Sequence, residues 1–414
     1  MQQDLRAALG ALSGVPAPHG AERPAAHALA AWGRRAHPGL GWEVDEHGAA
    51  GANVVVTLPG DGVPAVLLCS HLDTSLSGDP LVDAPVTGRD DDPAPLAWSA
   101  DQVSGPGLGV ARAPAAAALA GFAAAAARLG ARPHRSAQLL LAGSGTHRSA
   151  LPSALTTGPV RPTSGAGAEH HLRTRPRPDA VVVAKCGPPG VLAAEPGAGY
   201  LAVAVTGGWG AALAPASADP PGGVLLHTGL VLAGVAAWRA GFLAARTGRP
   251  DGTAAELGVG ALTAGLPDKP DLLPARLDLR CYVVTVPGDD LVALAADLAR
   301  SLREGFAGGP LAGCAVEVLA EPLHAAGVTD RSAPVVQAAV RAWTARVGTP
   351  PVPVQGWTGS TDGVVFRAAG IDTARLGPAA RRDPADARRD VLDVAALEAF
   401  AEVYADVVVE LAGS

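Results

Sequence analysis

The most constraining feature of this chain is the stretch 65–80, AVLLCSHLDTSLSGDP. Ala65, Val66, Leu67 and Leu68 form an unbroken apolar run bounded by turn formers. A run without polar alternation has no face to offer water, so it predicts a strand buried on both sides, as in a parallel sheet covered by helices. It ends in Ser70-His71-Leu72-Asp73-Thr74. In an open α/β sheet the carboxyl ends of parallel strands deliver side chains to the ligand crevice, and His71 is expected there. In a zinc site His71 would ligate the metal, and Asp73 would accept the other ring N–H and fix the tautomer. A hydrogen-bonded histidine at a strand end is the ordinary structural alternative.

Strand-like runs at 42–45, 53–58, 137–142 and 181–184 alternate with helical stretches at 3–36, broken by a turn at 15–20, and at 113–129. That order predicts a three-layer, mainly parallel α/β domain. Gly105-Pro106-Gly107-Leu108-Gly109 precedes a helix, but it lacks the third glycine and the acidic partner of a dinucleotide site. The polar segment 79–102 reads as a loop. Residues 149–178, rich in Pro, Gly and Arg, read as a mobile insert with His170-His171 exposed. From about Tyr200 the texture changes: strand 201–205, helix 224–246, strands 257–262 and 275–284, helix 288–305. This predicts an inserted α+β domain with an antiparallel sheet. After Glu317 the first domain is expected to resume, with helices at 332–346 and 394–411 and a strand at 372–376. The boundaries become 1–198 and 312–414 for the discontinuous α/β domain, and 199–311 for the insert.

A hydrophobic content of 48% against 17% charged residues indicates a globular chain. The net charge of −7 leaves no electrostatic footprint for nucleic acid. Only two of the 32 basic residues, Lys185 and Lys269, are lysines. With the abundant Ala, Gly and Pro, this matches the codon bias of a GC-rich genome, so arginine abundance carries no functional meaning. The start MQQDLRAALGALSG lacks a basic segment followed by a long apolar one, and the run 113–129 is expected to fall short of a membrane span. Cys69, Cys186, Cys281 and Cys314 are widely spaced, which in a cytoplasmic chain favours free thiols.

The segments VPAPHGAE, Asn53-Val-Val-Val, SHLD, GPGLG, LLPARLDLR, GSTDGVVFRAAGID and ARLGP occur in an order that resembles the two-zinc peptidases and amidohydrolases of the aminoacylase, peptidase T and succinyl-diaminopimelate desuccinylase kind. The resemblance covers nearly the whole chain. It implies a catalytic α/β domain interrupted by a lid that often dimerises, hence a homodimer through the insert. It also implies two cations held by carboxylates and imidazoles, because a bridging hydroxide must attack an amide carbon activated by a Lewis acid. Carried over by position, only His71 and its orienter Asp73 stand. The bridging aspartate falls on Val110, the Glu-Glu pair on Ser144-Gly145, a further carboxylate on Lys185, and the last histidine on Arg382. The lid histidine falls within 207–210, which has none. A unit positive charge about 4 Å from each charge of a dication costs about 4 kcal/mol per pair at an effective dielectric near 20. The two-zinc site is therefore expected to be absent, with no cofactor in its place.

The catalytic candidates are then His71, Asp73, Lys185, Cys186 and Arg382. Arg280, Asp362, Ser144 and Gly359 are the substrate-binding candidates. Lys185 and Arg382 would hold a carboxylate or stabilise an oxyanion. His71 would act as general acid or base, and Cys186 as a nucleophile activated by Lys185. Three readings stay open. The first is a metal-independent enzyme cleaving, transferring or cyclising at a C–N bond of a small peptide-like or amino-acid-derived molecule. The second is a non-catalytic binding subunit. The third is an ordinary zinc hydrolase whose ligands lie among His147, His170, His171 and Asp101. Inert alternatives stand beside these roles: Cys186 as a core filler, Lys185 paired with Asp73 or Asp362, and Asp362 as a helix cap. Ser144 lacks the spacing of a serine-hydrolase elbow.

Overall fold

The computed structural model describes residues 1–76, 80–130, 134–149, 165–211 and 224–413. It divides into two compact units: Met1–Ala194 with Val328–Val354 and Thr361–Ser414, and Glu195–Gly327 with Gln355–Ser360.

The first unit is built on a six-stranded sheet in the order Gly41–His47, Gly51–Leu58, Arg135–Ala142, Asp61–His71, Ala180–Ala184, Asp372–Leu376. The last four strands are parallel. The first two run antiparallel to their neighbours. The apolar run is buried on both faces, as its composition predicts. Val66 and Leu68 face helices Ala113–Leu129, Pro334–Val347 and Val394–Ala412 through Leu119, Phe122, Ala338 and Val403. Leu67 and Cys69 face Ala168 of helix Ala166–Thr174 and Phe366 of helix Gly363–Ala368. Two separate cores on the two faces of one sheet make three layers. Leu67 is fully buried, so Leu67→Ala is expected to cost about 2–5 kcal/mol.

The second unit is a four-stranded antiparallel sheet in the order Glu256–Ala264, Arg276–Thr285, Gly197–Thr206, Ala315–His324. Helices Thr228–Ala244 and Leu291–Phe306 pack on it through Val231, Val235, Leu298 and Leu302, against Leu201, Val203, Leu279 and Val283. The return to the first unit comes at Val328 rather than at 312, because Ala315–His324 pairs with Gly197–Thr206 as an edge of this sheet. Residues 355–360 also go with the second unit, where Trp357 exchanges backbone hydrogen bonds with Gly252 and Ala254.

Three local expectations are corrected. The segment 79–102 contains the helix Pro80–Thr87 and the short strand Ala97–Trp98. The expected mobile insert falls partly outside the described residues, and its second half includes the helix Ala166–Thr174, which buries His171 completely. Leu108–Leu129 does reach the length and hydropathy of a membrane span, but 67% of its most apolar window is buried inside the fold, which accounts for its apolarity.

Candidate functional site

Sheet register builds the site. In the central strand Asp61–His71, Cys69 lies opposite Val183 on one neighbour, and His71 lies opposite Ala142 on the other. Two residues past Val183 the chain reaches Lys185, which the register sets beside His71. The backbone of Lys185 is fixed from the next strand. Its N–H reaches the Leu376 carbonyl at 3.3 Å, and a methyl group at Gly377 would lie 2.1 Å from the Lys185 carbonyl oxygen. Only glycine fits there.

His71 is buried, with Nδ1 2.9 Å from the Asp73 carbonyl and 3.2 Å from Asp73 Oδ1. Both partners accept, so Nδ1 carries the proton and Nε2 presents its lone pair. Lys185 Nζ lies 2.5 Å from Nε2 and donates to it. Burial, and after it the Lys185 cation, lowers the pKa of His71, against the opposing pull of Asp73.

Asp73 is fully buried and saturated by donors. Oδ1 accepts the Gly145 N–H at 2.8 Å, and Oδ2 accepts the Thr146 N–H at 2.8 Å and its hydroxyl at 2.5 Å. His19 Nδ1 lies 3.2 Å from Oδ2 and 3.0 Å from Thr146 Oγ1. Burial alone would raise the Asp73 pKa, but the hydrogen bonds from His19 and His71 outweigh it and hold the carboxyl well below its usual range. The Gly143–Thr146 turn that supplies these donors is held in turn by Glu22, whose Oε1 accepts the Ser144 N–H. Burial and the Asp73 charge raise the Glu22 pKa.

Of the sequence candidates, His71, Asp73 and Lys185 come together. Asp362 joins them: it makes no capping hydrogen bond, since Thr361 Oγ1 accepts the Gly363 N–H instead. A methyl group at Gly145 would lie 3.1 Å from Asp362 Oδ2 and 2.7 Å from Cβ and Cγ of His71. Ser144 is fully buried at a φ of +56°, with its hydroxyl away from solvent. Cys186, expected either as a nucleophile or as a core filler, packs against the core, and burial pushes its thiol up to about 12, which favours the filler. Arg382 is exposed and engaged by Asp390 Oδ1 at 2.7 Å, in a small separate sheet rather than in the His71 cluster. Arg280 and Gly359 lie in the second unit, and Gly359 is there to clear the Trp357 ring. His19, Glu22 and Thr146 were missed by residue-level reasoning. The one signal for the first two was their place in VPAPHGAE.

No protein-family model matches the sequence, and no curated protein does. Solved structures do. A tripeptidase from Staphylococcus aureus superposes with a TM-score of 0.71 at 15% identity, over 100% of this chain and 99% of its own. An M20 family metallo-carboxypeptidase from Sulfolobus solfataricus gives 0.70 at 12% identity, over 99% of each. A dinuclear metal-binding M20 peptidase from Bacillus subtilis gives 0.61 at 14% identity, over 99% and 98%. The chain has the M20 peptidase fold. The likeness read from motif order holds at that level.

Among the described residues, the donors around His71 do not fit an M20-type metal pair. Lys185 Nζ holds the Nε2 lone pair that a cation would need. At Gly145 a carboxylate side chain would collide with the His71 ring. Among the described residues no group of three or more His, Cys, Asp or Glu side chains is placed to hold a metal ion. His170, a reserve candidate, pairs with Asp45 at 3.1 Å, and His171 is buried apart from it in the helix.

Proposed function

We propose that this chain is a metal-independent enzyme on a peptidase scaffold. It acts at a C–N bond of a small amide, peptide-like or amino-acid-derived molecule. The observation that carries the reading is the Lys185–His71–Asp73 alignment, with a cation seated on the ring nitrogen that a metal would take. Fixed positive charge then replaces metal charge. Lys185 stabilises a developing oxyanion or protonates a leaving group. His71 accepts the hydrogen bond that positions the ammonium, and Asp73 keeps the imidazole in one tautomer.

The second reading is a non-catalytic binding subunit. Saturation of Asp73 by protein donors favours it, since that carboxylate is not free as a base.

The test is a panel of N-acyl amino acids, dipeptides and carbamoyl amino acids incubated with chelator-treated protein. Consumption that persists in chelator and is lost in Lys185→Ala supports the enzyme. Stoichiometric zinc in the purified protein, or turnover that stops with chelator, overturns it. Tight binding of a panel member without turnover selects the second reading.

A further inference from the structure

We propose that Lys185 is a carbonyl-capturing amine that forms an imine with a small aldehyde or ketone. The inference rests on the metal-free reading of the same site and goes beyond it to a separate carbonyl chemistry.

Three observations carry it. The first is the alignment itself: an amine 2.5 Å from a base, and that base oriented by a third group through its other nitrogen. This is the nucleophile–base–orienter arrangement that activates an otherwise weak nucleophile. The second is access with preorganisation. Lys185 is half-buried while His71 and Asp73 are buried, so the lysine is the least covered member of the series. The turn that carries it is pinned by Leu376, by Gly187 N–H to the Pro378 carbonyl at 3.2 Å, and by Arg375 donating to the Cys186 carbonyl at 2.7 Å. The third is the lack of a rival: the adjacent Cys186 thiol is held protonated by burial and does not compete for the carbonyl.

An acyl group left on an amine is a stable amide and a dead end, whereas an imine is reversible, so aldehydes and ketones are the productive partners. His71 Nε2 takes a proton from Lys185, and the amine lone pair attacks the carbonyl carbon. The carbonyl π pair moves to oxygen, which takes one of the protons from the attacking nitrogen, giving a neutral carbinolamine. His71 returns its proton to the hydroxyl as water leaves, the nitrogen lone pair forms the C=N bond, and the remaining N–H proton is released. Amine and carbonyl thus give imine and water, with no change of oxidation state.

The chain supplies its own control. Its other lysine, Lys269, is exposed and paired with Asp271 at 2.8 Å, an ordinary surface amine. Full-length protein is incubated at neutral pH with glyoxylate and cyanoborohydride, which reduces any imine to a secondary amine, and the two lysine peptides are followed by mass spectrometry. Lys185 is expected to be modified about tenfold faster than Lys269 or more. His71→Gln should remove that excess and leave the Lys269 rate unchanged. Equal or slower modification of Lys185 in the wild-type protein overturns the inference, whether or not the variant folds. An excess that survives in folded His71→Gln overturns the role given to His71. Zinc content is measured on the same sample. Metal-free protein with an unreactive Lys185 sinks this inference alone, whereas stoichiometric zinc sinks the proposed function with it.

Discussion

Glu22 Oε1 accepts the N–H groups of Gly20 at 2.6 Å and Ser144 at 2.9 Å, while its Oε2 is buried without a hydrogen-bond partner among the described residues. One carboxylate thus ties the loop before the second helix to the turn that feeds donors to Asp73. Its raised pKa means that the folded state holds more protons than the unfolded chain, so this group's ionisation costs stability as pH rises above about 4.5. Glu22→Gln keeps an acceptor for both N–H groups. It also offers an amide toward the Ala52 carbonyl and His47 Nε2, which line the same notch as Oε2 beside Gly143. Denaturant midpoints at pH 5 and pH 7 should show Glu22→Gln at least as stable as wild type at pH 7, with a flatter pH dependence. Glu22→Ala leaves two N–H groups unsatisfied and should lose about 1–3 kcal/mol at both.

His171 is fully buried with neither ring nitrogen hydrogen-bonded among the described residues, and burial lowers its pKa to about 4. The unfolded chain therefore binds this proton more readily than the folded one. Stability is complete above pH 6.5 and falls as pH drops toward 4, by on the order of 3 kcal/mol from this residue. His47 and His71, also lowered, add to the same slope. His171→Leu should flatten the acid limb and cost nothing at pH 7, as read from thermal midpoints between pH 4 and 7.

What was legible in the sequence follows from what is local. The run ending at His71 could only be a doubly covered strand, and the end of the 181–184 run placed Lys185 at the same rim. Their pairing depends on the register of two strands 114 residues apart in sequence, which no local pattern encodes. The contacts of His19 with Asp73 and Thr146 span 54 and 127 residues, and its neighbours in sequence announce neither. For Cys186 the sequence left nucleophile and filler both open, because adjacency to a lysine suggests activation whereas burial, invisible in sequence, pushes its thiol up. The late return to the first unit was missed because Ala315–His324 shows nothing that distinguishes an edge strand of the insert from the next strand of the main sheet.

Asp73→Asn tests the hub of the network. An amide cannot accept from all the groups that converge on Asp73, so at least one buried donor faces a donor. The expected loss is about 2–4 kcal/mol at pH 7. The wild-type contribution is present above the unfolded pKa near 3.8 and is lost as pH falls through the lower folded value. The gap between variant and wild type should therefore close in strong acid, which urea titrations from pH 7 to pH 2 would show. A constant gap would mean that packing, not charge, is what the substitution removes.

Lys185→Met separates the two causes that lower the His71 pKa. Burial comes first and the Lys185 cation second, while hydrogen bonding and attraction from Asp73 push the other way. Methionine keeps most of the volume and removes the charge, so the burial contribution stays. The ring resonances of His71, followed by NMR against pH, should then titrate at a higher pH than in wild type. Because the folded value moves toward the unfolded 6.5, the acid slope contributed by this residue should shrink with it. The Nδ1–H tautomer should persist in the variant, since Asp73 and not Lys185 fixes it. An unchanged titration would show that the ammonium does not sit on Nε2 in solution, and the replacement of metal charge by lysine charge would lose its physical basis.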